Sequence, residues 1–336
     1  MFKNYKILFL SSLITGSLIS ISSFSWMGMW LGLEINLLSI IPLINSSKNI
    51  YSSESSMKYF IVQAIASTIF LFSLIMLSNQ LIILDMNNSL ILMLNSSLLI
   101  KMGSAPFHFW FPEVMEGLSW LNCLILLTWQ KLTPMILFMY NINFSYLISL
   151  VIIMGMLISG IMGFNQISLR KILAYSSINH IAWMLGSMFF METIWFYYFL
   201  TYTIISLNIV IIFYYLNIFY LKQIFISMNE NLILKLFFMM NFLSLGGLPP
   251  FLGFFPKWLT IYSFIINNSI FLIIFMTILT LITLFYYMRI CFTILIINSN
   301  EINYFNNTKK INFMIWFSNL LSILGLILST LMFNFL

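Results

Sequence analysis

The chain has 336 residues, of which 62% are hydrophobic and only 7% charged, with a formal net charge of +6 and a mean hydropathy of +1.04. Soluble domains carry about a quarter charged residues, and no soluble core could bury this much apolar surface, so the composition excludes a soluble fold. The basic residues stand singly or in pairs between apolar stretches, without the basic cluster interleaved with aromatics that marks a nucleic-acid surface; the lipid bilayer is their expected partner, and nucleic acid is not. Cys123 and Cys291 are far apart in apolar segments with no companion histidines, which points to buried structural thiols rather than a disulfide or a metal site.

Windows of about twenty apolar residues, enough to cross ~30 Å of hydrocarbon as a helix, recur eleven times in chain order. They run Lys6–Phe24, Ser25–Ile44, Lys58–Ser78, Leu90–Ser119, Leu121–Tyr140, Tyr146–Phe164, Ile172–Met191, Ile194–Phe219, Leu234–Tyr262, Ser269–Ile296 and Ile311–Phe335. The first has no small-residue cleavage site after its apolar core, so it reads as a span and not as a removable signal. The expected fold is an all-α polytopic membrane protein, one transmembrane domain over 1–336.

Charge asymmetry tests the count. If eleven spans alternate, Lys3, Lys6, Lys48, Lys58, Arg170, Lys171, Lys222, Lys235, Arg289, Lys309 and Lys310 fall on the N-terminal side, and the opposite side receives Asp85 and Glu192 but no lysine or arginine. The positive-inside rule then places the N-terminus in the cytoplasm-equivalent compartment, which in a mitochondrion is the matrix, and the C-terminus in the intermembrane space.

Two spans are predicted to be broken. The fourth contains Lys101–Pro112 (KMGSAPFHFWFP) and the ninth Gly246–Lys257 (GGLPPFLGFFPK), and proline removes an i to i−4 hydrogen bond from each. At an offset of 144, Gly103, Pro106, Phe107, Phe111 and Pro112 fall on Gly247, Pro250, Phe251, Phe255 and Pro256. The two copies lie five spans apart, an odd number, so they would cross in opposite directions as an inverted repeat, with 58–164 and 194–310 as the approximate cores of the halves. Gly/Pro-interrupted spans at corresponding places point to a transporter's central site.

Lys101, Lys131 and Lys257 each interrupt an apolar run. A lysine at mid-bilayer costs ~2.5–3.5 kcal/mol on insertion scales, and an intramembrane charge is a functional site by default. Snorkelling to an interface is the plain alternative for any one of them, less so for three. Glu34 lies eight residues past Trp26, ~12 Å down a helix. Lys101 is its expected partner; a glutamate hydrogen-bonded for packing is the alternative. Lys131 sits three residues before Pro134, which frees the Gln130 carbonyl, and Lys257 follows Pro256 and would end the polar path, its repeat counterpart being Glu113. His180, beside Ser176, Ser177 and Asn179, can relay protons near neutral pH or simply pack. His108 is expected to satisfy freed backbone at the break, and Glu113 and Glu116 to be solvated charges. No nucleotide loop, iron–sulfur cysteine set or paired-histidine haem pattern occurs, so no cofactor is expected in this chain.

Taken together, Trp30–Asn36 (WLGLEIN), Lys101–Trp110 (KMGSAPFHFW), Trp129–Lys131 (WQK), Leu173–His180 (LAYSSINH) and Gly246–Lys257 resemble the antiporter-like subunit family in the membrane arm of mitochondrial respiratory complex I, NADH:ubiquinone oxidoreductase. The resemblance spans nearly the whole chain. It implies proton translocation along a hydrated axis in which Glu34, Lys101, Lys131, His180 and Lys257 match the family's charged and polar positions. It also implies other membrane-arm subunits as partners, cardiolipin among the surrounding lipids, and NADH, FMN, iron–sulfur clusters and ubiquinone held elsewhere in the complex. Alanine occurs five times and valine four against abundant Ile, Phe, Asn, Met and Lys, as an A/T-rich animal mitochondrial genome would dictate. A self-standing cation/proton antiporter and a non-pumping scaffold subunit are the rival readings.

Overall fold

A computed structural model of the protein describes residues 4–46, 49–78, 87–142, 145–228 and 232–296, together with Asn319 and Gly325. Among them the secondary structure is helical, apart from one isolated bridge between Ser168 and Tyr220. In hydrocarbon, backbone N–H and C=O groups must be satisfied within the segment, which leaves the helix as the local solution for runs of this composition.

The chain divides into two compact units, Met1–Val151 and Ile152–Leu336. The first holds α1 (Asn4–Ser22), α2 (Trp26–Ile44), α3 (Ile50–Ser78), α4 (Asn87–Met102), α5 (Trp110–Gly117), α6 (Trp120–Leu127) and α7 (Trp129–Met139), and α8 (Ser145–Phe164) runs across the boundary. The second holds α9 (Leu169–Phe190), α10 (Glu192–Leu216), α11 (Leu221–Met228), α12 (Leu232–Gly246), α13 (Phe254–Ile266) and α14 (Ile270–Ile296). Among the described residues seven segments are by themselves long and apolar enough to cross a membrane: α1, α2, α3, the α6–α7 stretch, α8, α10 and α14. The broken fourth and ninth spans appear as α4/α5 and α12/α13, the seventh as α9, and the eleventh, Ile311–Phe335, lies outside the described residues apart from Asn319 and Gly325.

Three features depart from the expected elements. Helix α3 begins at Ile50 rather than Lys58 because its first turns carry Ser52, Ser55 and Ser56, all buried, and the Ser55 side chain lies against Gly117 at the end of α5. The fifth span is split at Thr128 (φ −114°, ψ −72°). There the Thr128 hydroxyl donates to the Leu124 carbonyl at 2.8 Å, and the Lys131 N–H reaches back to the Thr128 carbonyl at 3.3 Å. Pro134, whose ring crowds the Gln130 carbonyl, sits just beyond this tightened turn. Helix α11 occupies a stretch read as a connection; the Gln223 side chain accepts from the N–H groups of Phe219 (2.7 Å) and Tyr220 (3.1 Å) and so starts it.

Candidate functional site

The two predicted breaks share their helix bounds and a left-handed glycine, but the Ala105–Pro106 bond is cis and its counterpart Pro249–Pro250 is not. Helix α4 ends at Met102 and α5 resumes at Trp110; α12 ends at Gly246 and α13 resumes at Phe254, so both bounds agree at the offset of 144. Gly103 and Gly247 take the left-handed conformation, with φ of 72° and 76°. In the first break the Gly103 N–H donates to Ile100 (3.1 Å) and the Ser104 N–H to Leu99 (3.2 Å); in the second, Gly247 donates to Ser244 (3.0 Å) and Leu248 to Leu243 (3.4 Å). Each is a Schellman termination, which needs a residue free of the Cβ penalty at the left-handed position and closes two of the four orphan carbonyls.

The remaining carbonyls are met differently. In the first break the Gln63 amide makes a long contact of 3.5 Å with the Lys101 carbonyl, the Trp110 indole adds a second donor, at 3.1 Å, to the Ile100 carbonyl that Gly103 already meets, and His108 Nδ1 lies 3.3 Å from the Pro106 carbonyl. In the second the lysine itself does this: Lys257 Nζ donates to the Gly246 carbonyl at 2.9 Å and lies 3.5 Å from that of Leu245. Pro256 precedes it as the third residue of α13, within the first turn, where a missing N–H costs no helix bond. Gly247 serves twice, because a Cβ there would also meet Lys257 Nζ at 2.8 Å.

In the first unit Lys101 is 8% and Lys131 1% exposed. Lys101 Nζ lies 5.9 Å from the centre of the Phe70 ring and Lys131 Nζ 5.0 Å from that of Phe111, distances at which ring quadrupoles attract a cation. Glu34 is half-buried on α2. Its carboxylate acts on Lys101 through its field, but the two make no contact ion pair; among the described residues such pairs join Lys58 to Glu54 (3.0 Å) and to Glu113 (2.9 Å). The expected Glu34–Lys101 pair is therefore a through-space one. Gln63, Tyr59, Gln130, Thr133, Pro134 and Asn36 help line a narrow pocket of about 10 Å³ that also contains Lys101. Across it Gln130 Nε2 donates to Asn36 Oδ1 at 2.7 Å and accepts at Oε1 from the Tyr59 hydroxyl at 3.2 Å.

In the second unit Lys257 is 6% exposed and its Nζ lies 5.7 Å from the centre of the Trp183 ring. His180, one turn before Trp183 on α9, is buried, and its Nδ1 is 2.9 Å from the Tyr198 hydroxyl. Asn179 donates to Thr283 at 3.2 Å. Glu113 is an exposed partner of Lys58, in keeping with a solvated charge. Sequence reasoning did not single out Asn36, Tyr59, Gln63 or Thr133. Their only local signal was polar side chains in apolar runs near Glu34, Lys101 and Lys131. Among the described residues no cluster of three or more His, Cys, Asp or Glu is placed to hold a metal.

The transmembrane family described as NADH:quinone oxidoreductase/Mrp antiporter matches residues 23–283. The chain is 48% identical over 336 residues to NADH-ubiquinone oxidoreductase chain 2 of Anopheles gambiae, covering 97% of each. It is 46% identical to the protein of the same name from Locusta migratoria over 90% of this chain and 89% of that one. Its fold is similar to that of a chain in respiratory complex I from Thermus thermophilus, with a TM-score of 0.87 at 20% identity, over 97% of this chain and 79% of that one.

Proposed function

We propose that this chain, which belongs to the NADH:quinone oxidoreductase/Mrp antiporter transmembrane family, is an antiporter-like subunit of the complex I membrane arm that moves protons across the mitochondrial inner membrane. The observation that carries the proposal is that three lysines, each no more than 8% exposed, stand at or near helix interruptions in a multi-pass membrane protein. Each such charge is costly, and a cost incurred three times at broken helices is accounted for by proton carriage. NADH oxidation, flavin, iron–sulfur and ubiquinone chemistry belong to partner subunits; the work of this chain is translocation driven by that chemistry.

In this reading a proton held on one lysine ammonium is passed on when the charge of the next group changes. Glu34 biases Lys101, Lys131 holds the middle, His180 relays, and Lys257 ends the path. The Pro106 and Pro250 breaks put helix-end carbonyls beside Lys101 and Lys257, and 58–164 and 194–310 form halves of opposite direction. Replacing Glu34 by Gln keeps the volume but removes the charge that biases Lys101. Protons pumped per NADH are expected to fall at least about twofold, equivalent to ~0.4 kcal/mol, with the complex still assembled. Wild-type stoichiometry in an assembled variant would remove Glu34 from the path. Co-migration of the chain with NADH-oxidising activity on a native gel separates the complex subunit from a self-standing antiporter.

The charge asymmetry also sets an orientation. A tag after Phe335 is expected to be reached by protease from the intermembrane space and one near Asn307 from the matrix. Protection of both from the same side would mean an even number of crossings between matrix-facing Asn307 and the C-terminus.

A further inference from the structure

Lys131 stands on a turn that its own helix holds poorly. Before it the helix is split at Thr128, and the Lys131 N–H reaches back three residues to the Thr128 carbonyl at 3.3 Å. Beyond it Pro134 has no N–H to offer the Gln130 carbonyl, so the backbone ladder is disturbed on both sides of the lysine. The Gln130 side chain ties this turn to two other helices. Its Nε2 donates to Asn36 Oδ1 on α2 at 2.7 Å, and its Oε1 accepts from the Tyr59 hydroxyl on α3 at 3.2 Å. Donor and acceptor ends of one amide are both engaged, which fixes the direction in which the carboxamide points.

The two partners are themselves fixed. Asn36 and Tyr59 are buried. Helix α2 lies so close to α1 that a Cβ on Gly16 would come within 3.1 Å of the Asn36 nitrogen. The Tyr59 ring packs edge-on against Trp110, with centroids 5.8 Å apart, and the Trp110 indole is bonded in turn to the Ile100 carbonyl. The pocket beside the amide is about 10 Å³, room for roughly one water, so the carboxamide cannot swing aside without moving its neighbours. Packing alone would be met by a leucine at 130 and at 36, without the cost of burying amides that must then find partners.

We propose that Gln130 is the positioning residue for Lys131: clamped by Asn36 at one end of its amide and Tyr59 at the other, it sets the rotation of a turn that the backbone leaves loose. Successive residues of a helix point about 100° apart, so a small rotation of this turn would carry the Lys131 ammonium off the Phe111 ring, whose centre it faces at 5.0 Å. Gln130 also borders the pocket that contains Lys101, so the clamp places the middle lysine relative to the first. The proposal rests on the translocation reading above, in which Lys131 is a carrier; Gln130 itself takes up no proton and acts through the lysine.

The test compares Gln130→Asn with the exchanged pair Asn36→Gln/Gln130→Asn in the intact complex, measured as protons pumped per NADH oxidised in sealed membrane vesicles. The single variant keeps an amide but withdraws it by one methylene, and the exchange restores the combined reach at unchanged total volume. Pumping is expected to fall roughly threefold or more in Gln130→Asn and to recover to at least about half of wild type in the exchanged pair. Tyr59→Phe, which keeps the ring against Trp110 and removes one of the two bonds, should lose less than Gln130→Asn. A pair that served stability alone would alter the abundance of the complex and leave protons per NADH unchanged. Equal ratios in Gln130→Asn and the exchanged pair, whether both wild-type or both reduced, overturn the clamp, and a lowered ratio in Lys131→Met then leaves the parent reading standing. Should Gln130→Asn assemble too poorly to measure, a wild-type ratio in Tyr59→Phe overturns the clamp. A wild-type ratio in Lys131→Met overturns both.

Discussion

Replacing Lys131 by methionine is expected to reduce proton pumping at least about tenfold, a barrier increase of ~1.4 kcal/mol or more, while the complex remains assembled. Lys131 is 1% exposed, and methionine follows nearly the same course through the core without the charge. The exchange loses the attraction of the ammonium to the Phe111 ring, 5.0 Å away, worth ~0.5–2 kcal/mol. It also removes the ~2.5–3.5 kcal/mol cost of holding a lysine at mid-bilayer, so stability should hold or rise. Lys131→Arg sharpens the test, because the guanidinium preserves the positive charge but does not release its proton. A structural role for the charge would be met by arginine, whereas a carrier role would not. Pumping per NADH, read beside complex abundance on a native gel, decides between them. Normal pumping in assembled Lys131→Met would sink the carrier role, and normal pumping in Lys131→Arg would reduce it to fixed charge.

Gly253→Ala is expected to remove the assembled protein, whereas Gly246→Ala, seven residues away in the same break, should be tolerated. The φ of Gly253 is −65°, open to any residue, so its requirement is space. A Cβ there would fall within contact of the Ser244 carbonyl oxygen and 2.7 Å from its carbon. That same carbonyl accepts the Gly247 N–H at 3.0 Å, so displacing it opens the termination of α12 and shifts the backbone against which Lys257 is held. Overpacking costs ~1–3 kcal/mol when side chains can give way, and here the obstacle is main chain. Losses of ~1–2 kcal/mol already change abundance several-fold, so steady-state chain levels should fall well below that. At Gly246 the nearest atoms to a Cβ are those of Leu284 at 3.7 Å, ordinary contact, and its carbonyl stays available to Lys257. Equal abundance of the two variants would mean that the break is laxer than its geometry implies.

The broken helices were legible before any coordinate because their causes are local. Proline lacks a donor wherever it stands, and glycine relieves a left-handed φ wherever one is needed, so matching residues at an offset of 144 produced matching helix ends and matching Schellman turns. The three lysines were legible for a similar reason, since a charge in an apolar run is conspicuous by composition alone. The split at Thr128 was only half visible: Pro134 announced a disturbed ladder but not the residue at which the turn tightens. Tertiary structure alone decided which groups meet. Gln130 reaches Asn36 across 94 residues and Tyr59 across 71, and Asn179 reaches Thr283 across 104. Glu34 and Lys101, paired by chemical sense, act on each other without touching. Tyr198 was indistinguishable from aromatic filler until α9 and α10 brought its hydroxyl to His180. Membrane insertion, helix breaks and buried charge depend on energies that each segment carries within itself, so the sequence alone determined them. Hydrogen-bond partnerships depend on how helices distant in sequence rotate and pack, and no segment holds that information.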